Sequence, residues 1–142
     1  MHPDAPAAAR VRRAAARARL VAVAAVAVLI TATHIPSTSV PRLTFGDKVY
    51  HFGAYAGLSV ILLAAWELSR GRLAARHYFG FWLAATLFAA ADELTQIPVG
   101  RSCDVDDWAA DVLGVVAGVL LFRLVRRPLY HFLLGPDARH LH

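Results

Sequence analysis

The chain has few of the residues from which soluble metal-binding and nucleotide-binding motifs are built. Its 142 residues include one cysteine, Cys103, so an intramolecular disulfide cannot form. The sequence has no paired-cysteine, zinc-finger or haem-attachment spacing and no glycine-rich phosphate loop. We therefore predict no cofactor, and nothing here identifies a catalytic residue.

Charged residues are also scarce. They make up 18% of the chain, whereas a soluble domain averages about 25%. Hydrophobic residues make up 58%, whereas a soluble domain averages about 45–50%. The arginines before Leu20 could be a nucleic-acid arm, but an apolar run follows them directly. We interpret them as a membrane-flanking segment and expect no nucleic-acid partner. The residues concerned are Arg10, Arg12, Arg13, Arg17 and Arg19.

Four apolar runs predict four membrane spans, over residues 20–41, 49–66, 78–91 and 108–122. A hydrocarbon core of about 30 Å needs about 20 helical residues, so the polar residues beside the shorter runs should lie at the headgroup boundary. The runs lack the polar face that a soluble helix would have. We predict an all-α, polytopic membrane protein folded as a four-transmembrane-helix bundle.

The distribution of basic residues predicts cytoplasmic N- and C-termini. With the N-terminus inside, 12 of the 15 basic residues fall on the cytoplasmic side, and only Arg42, Lys48 and Arg101 lie outside. This divides the chain into a basic tail (1–19), a transmembrane domain (20–125) and a C-terminal tail (126–142). A signal peptide is the alternative interpretation of the first span, and it leaves the remaining orientation unchanged.

Polar residues from three predicted spans gather at the outer boundary. In the second span, Lys48, His51 and Tyr55 are spaced to share one helical face, as are Glu93 and Gln96 at the end of the third. Because ionisable groups in lipid are costly unless paired or wetted, such groups usually face the bundle interior and mark function. We predict a ligand-binding polar cluster of Asp47, Lys48, His51, Tyr55, Glu93, Gln96, Arg101, Asp107 and Asp111.

Two pairs of glycines have the spacing that allows close helix approach. Gly53 and Gly57 lie in the second span, on the face opposite Lys48, His51 and Tyr55. Gly114 and Gly118 continue the stripe that Asp107 and Asp111 begin in the fourth span. Both pairs are candidate helix contacts.

The spaced polar motifs resemble those of the VanZ-like family of small bacterial membrane proteins. The chain has Asp47-Lys48-x-x-His51-x-x-x-Tyr55, then Asp92-Glu93-x-x-Gln96, then Gly100-Arg101-x-x-Asp104-x-x-Asp107. The resemblance covers about residues 20–125. The family usually carries asparagine where this chain has Asp111, so a neutral amide is replaced by an acid.

The resemblance implies a multi-pass protein of the bacterial cytoplasmic (inner) membrane. The family takes its name from a protein linked to low-level resistance to the glycopeptide teicoplanin. An outward-facing polar pocket would then meet lipid headgroups and cell-wall precursors, in addition to the lipid bilayer itself. This implies a role in cell-envelope properties or glycopeptide susceptibility.

Four functional hypotheses follow. In the first, a non-enzymatic envelope protein binds an amphiphile, with Lys48 and Arg101 contacting anionic groups and nearby carboxylates organising them. In the second, a membrane enzyme acts on a lipid-linked or cell-wall precursor, with His51 paired to Glu93 or Asp107 as a general base. The third is a metal site, which the lack of a contiguous ligand motif disfavours, so no metal is predicted. In the fourth, the polar groups serve only to hold the bundle together.

Overall fold

The computed structural model describes residues 5–36, 46–101 and 103–135. The predicted first outer loop around Arg42 and the end of the C-terminal tail lie outside these residues. The described chain forms four α-helices: α1 (Ala5–Thr33), α2 (Asp47–Arg70), α3 (Ala75–Gln96) and α4 (Val105–Leu134). A short 3-10 helix, Ile97–Val99, follows α3. The predicted all-α fold is confirmed.

Three of these helices are long and apolar enough to cross a membrane: α1 from Ala8 onward, α2 and α4. The prediction of four spans is therefore supported in part. Helix α3 has 22 residues, but Asp92 and Glu93 near its end and its tyrosine and tryptophan residues lower its hydropathy. Large apolar side chains such as Leu113 and Leu124, 62% and 77% exposed, lie on the outside of the bundle, where a lipid environment suits them.

Two predicted boundaries fall inside helices. The basic segment before Leu20 is helical from Ala5 and continues into the first span, because alanine and arginine both have high helix propensity. Helix α4 runs past residue 126 to Leu134 and contains Pro128 within its last turns.

The ends of the helices carry local signals that place the polar residues. Helix α4 begins after Asp104, whose carboxylate accepts a hydrogen bond from the Asp106 amide at 2.9 Å. Asp106 and Asp107 occupy its first turn, where the helix dipole favours negative charge. Gly46 and Gly71, both at positive φ, flank α2 and set its start and end. Asp47 and Lys48 are thereby placed in the first turn of α2, level with the start of α4.

The most extensive contact between helices in the bundle is that of α2 with α4. The close approach depends on Gly114 and Gly118, which lie against the α2 backbone at Phe52 and Ala56. Gly53 and Gly57 have no atom within 4 Å of the position that a Cβ would occupy. Of the two glycine pairs, the one in α4 therefore makes the predicted contact, and the expectation for the α2 pair is wrong.

Candidate functional site

One end of the bundle, where α1 and α3 finish and α2 and α4 begin, holds most of the polar side chains. We call it the polar end. All nine residues of the predicted cluster lie there. The opposite end, which carries the basic N-terminal part of α1 and the arginines around residues 70–76 and 123–127, is called the arginine-rich end.

The centre of the polar end is a buried contact between α2 and α4. Nδ1 of His51 lies 2.9 Å from Oδ1 of Asp111, and 3.9 Å from Oε1 of Glu93. Asp111 is completely buried, and its second oxygen, Oδ2, has no hydrogen-bond partner among the described residues. When Nδ1 carries the imidazole proton and donates it to Asp111, Nε2 is left as an acceptor. The partner of His51 is thus Asp111, with Glu93 next to it, and the pairing with Asp107 suggested by the sequence is not observed.

Glu93 connects the end of α3 to the start of α4. Its Oε1 accepts a hydrogen bond from the side-chain amide of Gln96 at 3.4 Å, and its Oε2 accepts one from the backbone N–H of Asp104 at 3.1 Å. Both Glu93 and Gln96 are buried. The sequence prediction that they share a face is confirmed, and their contacts fix the connection between the two helices.

Asp92 connects α3 to α1 and α2. The hydroxyl of Thr33 donates to its Oδ1 at 3.1 Å, and the hydroxyl of Tyr55 donates to its Oδ2 at 3.5 Å. Nδ1 of His34 lies 3.9 Å from Oδ1 of Asp92, and Nε2 of His34 lies 3.1 Å from the hydroxyl of Thr95. The predicted cluster omits Asp92 and Thr33, although Asp92 stands in the quoted motif. Asp92 directly precedes Glu93 in α3, and this was the signal that could have identified it. Adjacent residues of a helix face different neighbours, so the two carboxylates were expected to contact different helices.

The rim of the polar end consists of more exposed ion pairs. Nζ of Lys48 lies 3.6, 3.3 and 3.4 Å from the carboxylates of Asp104, Asp106 and Asp107. Nη2 of Arg101 lies 3.4 Å from Oδ2 of Asp47. Lys48 therefore pairs with three carboxylates at the start of α4, whereas the partner of Arg101 is Asp47 at the start of α2.

A cavity of about 270 Å³ opens between α1 and α2 beside this rim. One part of its wall is apolar, with Leu29, Ile35 and Ala54 among its residues. The other part carries His51, Asp47, Thr33 and Arg101. The cavity thus combines an apolar wall with a cation and an imidazole.

The side chains of the polar end also offer ligand atoms that a metal ion could use. One atom each from His51, Glu93 and Asp111 lies within 4.8 Å of the others, and Asp47, His51 and Asp107 form a second such group. A set of one imidazole and two carboxylates suits zinc or a similar divalent ion.

The arginine-rich end contains an ion pair between a buried carboxylate and a partly buried arginine, which the sequence alone did not predict. Nη1 of Arg126 lies 3.0 Å from Oε1 of Glu67, which is 1% exposed. The hydroxyls of Tyr78 and Tyr130 and Oε2 of Glu67 are buried without hydrogen-bond partners among the described residues. Glu67 is a lone carboxylate in the second half of α2, and that isolation was the available signal.

Comparison with known proteins identifies the family of this chain. The profile of the VanZ/LLP1 family matches residues 6–126, which is most of the chain. No curated protein and no solved structure is significantly similar to it. The matched region includes all but the first residue of α1, all of α2 and α3, and every residue of the polar end described above. The chain is a multi-pass membrane protein that belongs to the VanZ/LLP1 family.

Proposed function

We propose that all four helices span the bacterial cytoplasmic membrane, with both termini inside and the polar end facing outward. At about 1.5 Å per residue, the 22 residues of α3 reach about 33 Å, which matches a hydrocarbon core of about 30 Å. The antiparallel bundle also places the predicted cytoplasmic arginines of α1, α2, α3 and α4 at one end, as the positive-inside rule requires.

Cys103 offers a direct test of this orientation. It is the chain's only cysteine and is exposed between α3 and α4 at the polar end. A membrane-impermeant maleimide should label it in intact cells. A Cys103→Ser chain that carries Arg72→Cys at the opposite end should be labelled only after the membrane is opened. The reverse labelling pattern would contradict the proposed orientation.

We further propose that the cavity at the polar end binds an amphiphile with an anionic headgroup, either a membrane lipid or a lipid-linked cell-wall precursor. The observation that carries this proposal is the composition of the cavity wall. Arg101 provides donors for a phosphate or carboxylate, and Leu29, Ile35 and Ala54 provide an apolar surface for a hydrocarbon chain. Binding of such a molecule would alter envelope properties and glycopeptide susceptibility.

The exposure of its partner supports this role for Arg101. Its present partner, Asp47, is about half exposed, so solvent weakens the attraction between the two side chains. An anionic headgroup could replace this partner at small cost. Lys48, in contrast, is shared among three carboxylates and is better suited to hold the start of α4.

Binding to purified protein would test this function. Arg101→Ala should weaken binding of a phosphate-headgroup lipid or lipid-linked precursor about tenfold or more, because a charge-assisted hydrogen bond is lost. Arg72→Ala, which removes the same charge at the other end, is the matched control. Equal binding by the two variants would show that Arg101 does not contribute to the site. Teicoplanin susceptibility of cells with each variant would test the physiological role.

A second candidate function is an enzyme that acts on a lipid-linked or wall-precursor substrate. The 2.9 Å contact between His51 and Asp111 favours it, because a carboxylate that fixes an imidazole in this way prepares the other ring nitrogen to act as a general base. Turnover of such a substrate should be lost in His51→Ala and kept in His77→Ala, a histidine at the opposite end. Absence of turnover with intact binding would favour the non-enzymatic function.

A further inference from the structure

A second and larger cavity lies at the arginine-rich end, away from every residue of the polar end. It is a groove of about 640 Å³ between the first half of α1 and the facing surfaces of α2 and α4. Helix α1 packs along α2 but makes little contact with α4, and this divergence leaves the groove open. The groove therefore requires an explanation separate from the proposed function.

The edge of the groove is strongly basic. Arg10, Arg13 and Arg17 line it, and their spacing places all three on one face of α1. The side chains of Arg13 and Arg17 are exposed, and within the described part of the chain neither has an ion-pair partner. Arg13 and Arg17 thus offer positive charge that the described protein does not neutralise.

The floor of the groove is apolar. It is formed by Val21 of α1, by Val60, Ile61 and Ala64 of α2, and by Leu133 of α4. From Arg10 to Val21 the helix advances about 16 Å, at about 1.5 Å per residue. The groove therefore passes from a basic edge to an apolar floor along the axis of a membrane helix.

We propose that this groove binds an anionic phospholipid, with its phosphate beside Arg13 and Arg17 and an acyl chain along Val21 and Ile61. Charge complementarity selects an anionic headgroup, and a floor formed by membrane helices selects a hydrocarbon chain. The proposal does not rest on the function proposed for the polar end, because the two cavities share no residue.

Native mass spectrometry of the full chain, titrated with phosphatidylglycerol or phosphatidylcholine, tests this site. The wild type should retain phosphatidylglycerol preferentially. Arg13→Gln/Arg17→Gln should lower its affinity about thirtyfold, the effect of two basic side chains that act on an anionic lipid. Arg12→Gln/Arg76→Gln removes the same charge outside the groove and should leave the affinity unchanged. If both double variants lose affinity equally, the attraction is general and the proposal is overturned.

The apolar floor has its own test. Val21→Trp places a large ring in the groove, whereas Val23→Trp places one on an exposed surface of α1 that does not line it. The first should lower phosphatidylglycerol retention and the second should not. Glycerol phosphate, which has the headgroup without acyl chains, should fail to displace the lipid. Retention by Val21→Trp, displacement by glycerol phosphate, or capture of a protein partner in place of lipid would each overturn the proposal.

Discussion

Alanine at Gly118 would place a methyl carbon against the backbone of α2. A Cβ at this position lies 2.5 Å from the carbonyl oxygen of Ala56 and 2.6 Å from Cβ of Ser59, whereas real Cβ contacts are essentially never below 3.0 Å. At Gly114 the methyl would overlap the carbonyl oxygen of Phe52. Backbone atoms cannot turn aside as a flexible side chain would, so α2 and α4 must separate.

The cost follows from the size of this separation. The methyl must recede from 2.5 Å to the 3.4 Å at which ordinary contact begins. Overpacking of this kind costs about 1–3 kcal/mol, and separation of the helices also stretches the 2.9 Å contact between His51 and Asp111. We expect Gly118→Ala to lower the Tm in detergent by about 5 °C or more.

The chain supplies its own control. Gly53→Ala and Gly57→Ala add the same methyl group to α2 where nothing lies within 4 Å. These variants should keep or raise the Tm, because alanine has the higher helix propensity. Thermal unfolding followed by circular dichroism measures all of the variants. If Gly118→Ala and Gly57→Ala unfold at the same temperature, the described packing of α2 against α4 is wrong.

Three further predictions concern stability and use the same unfolding assay. Asp111→Asn keeps an acceptor for His51 and should be tolerated, whereas Asp111→Ala should cost about 1–3 kcal/mol by leaving a buried imidazole without its partner. Arg126→Met should cost about 3–5 kcal/mol because it leaves the buried Glu67 carboxylate unpaired, and adding Glu67→Leu should restore most of the loss. Asp104→Ala should cost about 0.5–2 kcal/mol through loss of the α4 N-cap. Equal Tm values for the two Asp111 variants, no rescue in the double variant, or an unchanged Tm for Asp104→Ala would contradict the respective prediction.

The convergence of the polar residues could be predicted from the sequence because two constraints act together. Helical periodicity assigns His51 and Tyr55 to one face, and Glu93 and Gln96 to another. The cost of isolated charge in lipid then requires these faces to meet. Their role in binding stays a prediction.

The individual partners could not be predicted from the sequence. Asp107 and Asp111 lie one turn apart on the same face of α4. The offset of α2 relative to α4 along the helix axes determines that His51 contacts Asp111. The same offset also determines that Lys48 contacts Asp107. Such a choice depends on tertiary packing, to which helical periodicity is insensitive.

Two other contacts could not be predicted from the sequence, for similar reasons. The two glycine pairs have the same spacing, and which one contacts a neighbour depends on which face of α2 meets α4. The isolation of Glu67 in the second half of α2 marks it in the sequence, but the arginines nearest to it along the chain, Arg70 and Arg72, are not its partner. Its partner, Arg126, is 59 residues away along the chain.

The difference in exposure between the two layers of the polar end has a consequence for ionic strength. The contacts of Lys48 and Arg101 involve partly exposed carboxylates, whereas His51 and Asp111 are buried. At about 1 M salt the screening length falls to about 3 Å, comparable with the separation of the exposed pairs, while buried pairs are screened much less. Concentrated salt should therefore loosen the attachment of the α3–α4 connection to α2 and leave the imidazole–carboxylate contact beneath it in place.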